Sequence, residues 1–399
     1  MTKFVLEVQT MEQLFQYSKS LIAQVDVSFK RYVFANINWK NRLIGLTGPR
    51  GVGKTTLVLQ YIKTELDPQK SLYVTAEDFY FASTRLTELA AQFVQFGGAH
   101  LIIDEIHKYP QWATELKLIH DYHPQLQVVF TGSSILDLKK GSSDLSRRAV
   151  LYAMQGLSFR EYLYMFKGID FPVYTLEQVL VHQTDFSKLQ LPLVAFEQYL
   201  KQGYYPFAQE PDFEQKLRQV VSQTLEVDIP SYAQMNVATG RKLKQLLAIV
   251  AQSVPFKPNM SKIADLLSVS RNHIADYLLY IEEAGMIAQL RSQTGGIRGL
   301  AKIDKVFLDN SNLSYALSSE QPNLGSIRET FFLNQTCVTH DVRSSEFADF
   351  KIGPYDFEVG GKKKGLKQIQ QAPQGYVVKD NIEQGYLNVV PLWHFGFLY

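Results

Sequence analysis

The sequence predicts an α/β protein whose first part is built on a parallel sheet, and three observations carry this. Five short apolar runs, at 42–47, 71–76, 100–104, 127–132 and 149–154, alternate with helical stretches such as Ser83 to Phe96 and Gln111 to His120. Strands alternating with helices imply parallel pairing through right-handed crossovers. The run Leu101-Ile102-Ile103 is continuously apolar, as a strand buried on both faces requires. Polar residues with chemical potential follow several of these runs, at the carboxyl edge where parallel sheets bind ligands.

The first strand, Leu43 to Thr47, follows about forty residues of helix and connector. It runs into Gly48-Pro49-Arg50-Gly51-Val52-Gly53-Lys54-Thr55-Thr56, and then into the helical run Leu57 to Ile62. This is G-x-x-x-x-G-K-T in its required strand–loop–helix setting, so a P-loop NTPase domain is expected. Glycines let the backbone curl around an anion, and the amides opening the next helix point at phosphate. Lys54 is expected to place its charge on the β- and γ-phosphates, Thr55 its hydroxyl on Mg2+, and Thr56 its hydroxyl near the α-phosphate.

The third strand ends in Asp104-Glu105. Asp104 is expected to hold magnesium, and Glu105 to act as general base on the water attacking the γ-phosphate. The fourth strand ends in Thr131-Gly132-Ser133-Ser134. Ser133 or Thr131 is expected to place a hydroxyl beside the γ-phosphate; an ordinary Ser/Gly turn is the competing reading. The run Leu72 to Ala76 lies in the chain between the phosphate loop and Asp104. It points to the ATPase branch in which a separate strand stands between those two motifs in the sheet.

Of 399 residues, 46% are hydrophobic, 13% aromatic and 20% charged, which calls for packed cores and two to four domains. The net charge of +2 places any basic surface locally. A single cysteine, Cys337, rules out an intramolecular disulfide framework. Neither a signal-peptide core nor a bilayer-length apolar run is seen. The expectation is a cytoplasmic protein with no membrane partner.

Beyond Gly156 the alternation stops. Residues 159–238 read as a helical connector or lid, with a turn at Gly203-Tyr204-Tyr205-Pro206. Residues 239–300 read as a winged helix: helices at Arg241 to Val250, Ser261 to Leu267 and Arg271 to Gly285, then a wing around Met286 to Gly296. Its third helix would present Arg271, Asn272 and His273 to base edges. Asp276, Glu282 and Glu283 on the same helix would repel phosphate, so a winged helix used for domain packing or protein contacts is an equal alternative. Residues 301–399 read as a further α/β unit, with a helix over 329–333, paired strands at Ala348 to Ile352 and Tyr355 to Val359, a basic run at 362–364 and a packed apolar end.

The motifs GPRGVGKTT, LIIDEIHKYPQW, VVFTGSS, LSRRAVLYAMQGLSFREYL and GYYP, in this order, resemble a prokaryotic family of AAA-type ATPases with a C-terminal domain related to restriction endonucleases. The resemblance implies ATP as the nucleotide, over residues 1–158. It implies an arginine after the small-polar strand that stabilises charge on the γ-phosphate; Arg148 matches best, beside Arg147, acting in cis or from a neighbouring copy. It also implies a nuclease-like unit at 301–399, with Glu329, Asp349 and Glu358 as metal-binding candidates and Asp356 as another. The Glu-x-Lys register of such nucleases is broken here, since Glu358 is followed by Val359-Gly360-Gly361-Lys362. The expected function is a Mg2+-dependent ATPase that moves its C-terminal parts, with DNA, a protein partner or another copy of the chain as candidate partners. A nucleotide-switched binding module and an ATP-regulated nuclease are the alternatives.

Overall fold

The computed structural model describes residues 2–132, 145, 147–233, 235–252, 255–292, 303–318, 321–365 and 367–399. It divides into two compact units, Met1–Gln155 and Gly156–Tyr399.

In the first unit, helix α1 (Thr2–Gln24) leads to strand β1 (Leu43–Thr47) and helix α2 (Lys54–Glu65). Strand β2 (Ser71–Thr75), helix α3 (Leu86–Gln95), strand β3 (His100–Asp104), helix α4 (Trp112–Tyr122) and strands β4 (Gln127–Gly132) and β5 (Val150–Ala153) follow. The five strands form one sheet in the order β2-β3-β4-β1-β5. All four pairings are parallel. Every residue of β1 is buried, as are Leu101 to Asp104 of β3, which explains the continuous apolar run Leu101-Ile102-Ile103. Helix α1 contributes Met11 and Leu14 to the core containing Leu72 and Val74 of β2, and Ser18 Oγ accepts a bond from Tyr73 N at 3.0 Å.

As expected, a strand stands in the sheet between the phosphate loop and the Asp-Glu motif, and it is β4. Strand β2 lies at the sheet edge, beyond β3.

The second unit opens with helices α5 (Phe159–Lys167), α6 (Pro192–Gln202) and α7 (Phe213–Gln223). Helices α8 (Val237–Gln252), α9 (Met260–Leu267) and α10 (Arg271–Glu283) come next, then strands β6 (Ile287–Arg291) and β7 (Ile303–Leu308) as an antiparallel pair. Helix α10 buries Ile274, Tyr277, Leu278 and Ile281 and exposes Arg271, Asn272 and His273. The expected wing residues Gln293 to Gly296 lie outside the described residues. Helix α11 (Leu324–Thr336) precedes a second sheet of β8 (Val342–Ser344), β9 (Phe350–Ile352), β10 (Tyr355–Gly360), β11 (Gly375–Lys379) and β12 (Val389–Pro391), ordered as in the chain. Strands β8, β9 and β10 pair antiparallel, while β10, β11 and β12 are parallel.

The 159–238 segment is not a separate connector or lid. Phe159, Leu163, Phe196 and Tyr199 share one hydrophobic core with Phe332, Phe357, Phe395 and Phe397. The aromatic residues of α5 and α6 find their burial against the C-terminal sheet and its last turn, which merges the expected connector and C-terminal unit. The apolar end is packed as expected, with Trp393 and Tyr399 buried.

Candidate functional site: the phosphate loop and its carboxylates

Loop 48–53 joins β1 to α2 at the carboxyl edge of the first sheet. Two glycines are indispensable there. A Cβ on Gly48 would lie 2.1 Å from the Met154 carbonyl oxygen, and Gly53 caps α2 at φ 97°, a region that side chains disfavour. Lys54, the first residue of α2, is buried, and its ammonium donates to the carbonyls of Gly48 and Pro49, each at 2.9 Å. The loop is held from behind by Arg31, whose buried guanidinium donates to Val52 O at 2.6 Å and Gln155 O at 2.7 Å.

Asp104, buried at the end of β3, is the hub. Its Oδ2 accepts from Thr55 Oγ1 and from the Tyr73 hydroxyl, both at 2.7 Å. Its Oδ1 accepts from Thr131 Oγ1, and the same Thr131 oxygen accepts from Glu105 N at 3.2 Å. Burial and the adjacent Asp104 charge push the Tyr73 phenol far above its ordinary pKa, so it stays a donor. Glu105 adopts φ 52°, ψ 40°, a left-handed conformation unusual for a non-glycine residue and one that recurs at functional sites. Its Oε2 lies 3.5 Å from Nε2 of the buried His107.

Lys54, Thr55, Asp104 and Glu105 therefore gather at one edge of the sheet with Gly48 to Gly53. Thr56 is exposed on the first turn of α2. Of the two hydroxyl candidates, Thr131 is built into the Asp104 network, and Ser133 lies outside the described residues. Sequence reasoning missed Arg31, Tyr73 and His107. Only His107 left a signal, as a histidine two residues beyond the Asp-Glu pair.

Arg148 is not in this chain's own site. It precedes β5, whose first residue pairs with Ile44 near the start of β1, so it sits at the amino edge of the sheet. The sheet's length, roughly 15 Å at about 3.3 Å per residue, separates it from the loop. There it donates to Asp121 through Nε at 2.8 Å and Nη2 at 2.9 Å. This fork, with His120 behind it, holds the Asp121 carboxyl down at about 2.

In the second unit, Glu329 lies on α11, Asp349 just before β9 and Glu358 on β10. Lys305 of β7 places its ammonium 3.4 Å from Glu329 and 3.2 Å from Asp349. Lys364 pairs with Glu358, and Asp349 also accepts from Val359 N at 3.1 Å. Burial, and then the Asp349 charge, raises the Glu329 carboxyl to about 7, and burial raises that of Glu358. Asp356 accepts from Ser345 Oγ at 2.6 Å. Among the described residues, no group of three or more His, Cys, Asp or Glu side chains is arranged to hold a metal ion. The three candidates are thus brought near one another, but amines of the chain engage all of them, and the set does not fit a resident divalent metal.

The parallel strand order places the glycine loop and the Asp-Glu pair together at the carboxyl edge of one sheet. Residues 40–163 match a family model described as an AAA domain, and residues 194–323 match one described as a domain of unknown function, DUF8612. The uncharacterized protein MJ1637 of Methanocaldococcus jannaschii is 25% identical over 407 aligned positions, covering 90% of this chain and 85% of that protein. Among solved structures, the Walker-type ATPase PABY2304 of Pyrococcus abyssi is similar at 12% identity and a TM-score of 0.42, over 70% of this chain and 91% of that one. DnaA of Aquifex aeolicus, bound to AMPPCP, is similar at 13% identity and a TM-score of 0.25, over 63% and 85%. Among the described residues no helix is long and apolar enough to cross a membrane.

Proposed function

We propose that this chain binds ATP with Mg2+ in the 48–56 loop and hydrolyses it. The observation that carries the reading is the 2.7 Å bond between Thr55 Oγ1 and Asp104 Oδ2. A hydroxyl and a carboxylate, both hard oxygen donors, meet beside a buried ammonium, and this donor set suits Mg2+ held by one carboxylate together with phosphate. When bound, Mg2+ would neutralise charge between the β- and γ-phosphates.

The chain's own residues do the rest. Lys54 is already desolvated and aimed along the loop by two neutral carbonyls. Triphosphate oxygens are charged acceptors and make hydrogen bonds roughly twice as strong, so they draw the ammonium off those carbonyls. The α2 amides and the helix dipole bind the phosphates from the other side. Glu105 takes a proton from the attacking water as its oxygen bonds the γ-phosphorus. The bond to the β-phosphate oxygen then breaks, and ADP leaves with that electron pair. His107 and the Thr131 bond to Glu105 N hold the base in its left-handed turn.

Turnover in a steady-state ATPase assay tests this. Glu105→Gln should bind ATP as the wild type does and lose about 10²–10⁴-fold in turnover. Lys54→Ala should lose both binding and turnover, since charge-assisted hydrogen bonds contribute about 1.5–3 kcal/mol each. Retained turnover in Glu105→Gln rejects the base assignment, and retained ATP affinity in Lys54→Ala rejects the site.

The remainder of the proposal concerns partners. We read α8, α9, α10 and the β6–β7 pair as a winged helix that engages a partner through the exposed start of α10, with DNA tested first because Arg271, Asn272 and His273 lie there. Salt-dependent binding to duplex DNA supports it, and salt-independent binding to protein alone favours the competing reading. Arg148 keeps a role in catalysis only toward a neighbouring copy, after release from Asp121. A cytoplasmic setting fits the absence of a disulfide framework.

A further inference from the structure

We infer that the carboxylate cluster of the second unit is completed by lysines of its own chain, which stand in for the divalent metal of a nuclease centre and make the cluster a structural, metal-independent hub. A Glu-x-Lys register would put a lysine at position 360. The residue there is Gly360, and a Cβ on it would lie 2.7, 2.8 and 3.0 Å from Cδ, Cγ and Cβ of Lys364. These atoms form the stem of Lys364 rather than its mobile tip, so a side chain at 360 collides with the chain segment that carries the ammonium to Glu358.

The loop beyond β10 is built to deliver that stem. Lys364 N donates to Gly361 O at 2.9 Å, closing a tight turn. Asp380 N donates to Gly360 O at 2.9 Å, and Arg328 Nε grips the Asp380 carboxylate at 2.8 Å. Gly361 leaves room for the same arginine, with an added Cβ 3.3 Å from Arg328 Nη1. Lys364 then meets a Glu358 side chain that is only 2% exposed.

On the other side of the cluster Lys305 bridges Glu329 and Asp349, and all three side chains are less than one-fifth exposed. Two ammonium groups therefore bring to three carboxylates the same double positive charge that a divalent cation would. They do so from fixed positions on β7 and on the β10 loop. A buried ion pair that loses one partner leaves an uncompensated charge, so each lysine is bound into the fold.

The test uses the full chain without nucleotide and Mn2+ as the probe. Comparing wild type with Glu358→Gln cancels any Mn2+ effect at the phosphate loop, which both proteins share. The expected result is the same response of the melting midpoint to Mn2+ in both. Lys364→Met should lower the midpoint by roughly 5 °C or more, and Lys364→Met with Glu358→Gln should recover most of that loss, because no lone charge remains. A Mn2+-dependent rise in the wild type that Glu358→Gln abolishes overturns the inference, as does a Lys364→Met protein that melts with the wild type. If Lys364→Met fails to fold, the Mn2+ comparison decides alone.

Discussion

Thr131→Val separates a network that organises catalysis from one that only fills space. Thr131 is fully buried on β4, and its backbone is held by parallel pairing with Leu46 of β1. Valine keeps the branched shape and the preference for a strand, so the substitution removes one hydroxyl and little else. That hydroxyl donates to Asp104 Oδ1 and accepts from Glu105 N. A hydrogen bond to a charged group contributes about 1.5–3 kcal/mol, and a buried donor left without a partner costs about 1–3 kcal/mol. At 3.2 Å the Glu105 amide bond belongs near the lower end, so the sum is roughly 2.5–4 kcal/mol. Part of it appears as lost stability. The part that fixes the direction of Asp104 and Glu105 appears in turnover, where about 1.4 kcal/mol is tenfold. Turnover should fall about 10- to 100-fold in a steady-state assay, together with a lower melting midpoint. Thr131→Ser keeps the hydroxyl and should stay within a few-fold of wild type. Wild-type turnover in Thr131→Val, or equal damage from Thr131→Ser, would refute the reasoning.

Three further outcomes are expected. Arg31→Ala removes the clamp on Val52 O and Gln155 O; it should weaken ATP binding about tenfold or more without touching any phosphate-contacting residue, and unchanged affinity by titration rejects the clamp. Arg148→Ala should leave turnover unchanged in dilute, monomeric protein; a loss under those conditions would place Arg148 in its own site after all. His394 is buried, and burial with neighbouring His182 lowers its pKa to about 3. The folded state thus keeps it neutral while the unfolded state protonates near 6.5. Its contribution is full above pH 6.5 and is lost as pH falls toward 3, at about 1.4 kcal/mol per unit. Chemical unfolding between pH 7 and 5 should show this slope in the wild type and a shallower one in His394→Phe; identical slopes reject the assignment.

The first sheet was legible in the sequence because each strand carries its own burial signal. The predicted runs and the observed strands agree to within about a residue at each end. Sheet order was not legible in the same way. Nothing in the run Leu72 to Ala76 says whether it lies beside β1 or beyond β3, since both positions demand the same apolar faces. The Glu105, Thr55 and Asp104 assignments came from local motifs, which report chemistry within a few residues. Arg31 and Tyr73 act across the fold and left no local mark: one lies in a polar connector, the other in a strand where an aromatic is ordinary. The position of Arg148 was not legible either, because proximity in the chain to the Thr131 strand does not fix the sheet edge on which a residue emerges. In the second unit, Lys305 meets Glu329 and Asp349 only through tertiary pairing, and Gly360 reads as a broken motif until the Lys364 stem is seen beside it.

The strand order also explains why Asp104 holds three partners at once. With β4 between β1 and β3, Thr131 reaches Asp104 from the phosphate-loop side while its backbone stays in register with Leu46 of β1. With β2 outside β3, Tyr73 reaches the same carboxylate from the opposite side. Thr55 approaches from α2, over the top of the sheet. Two of these three donors belong to strands and are fixed; only Thr55 lies where bound phosphate would lie. If Thr55 turns its hydroxyl lone pair to a cation, Oδ2 still accepts from Tyr73 and Oδ1 from Thr131. A carboxylate gripped on both flanks keeps its direction while its third partner changes, and this is the condition for one aspartate to serve both the empty and the loaded loop.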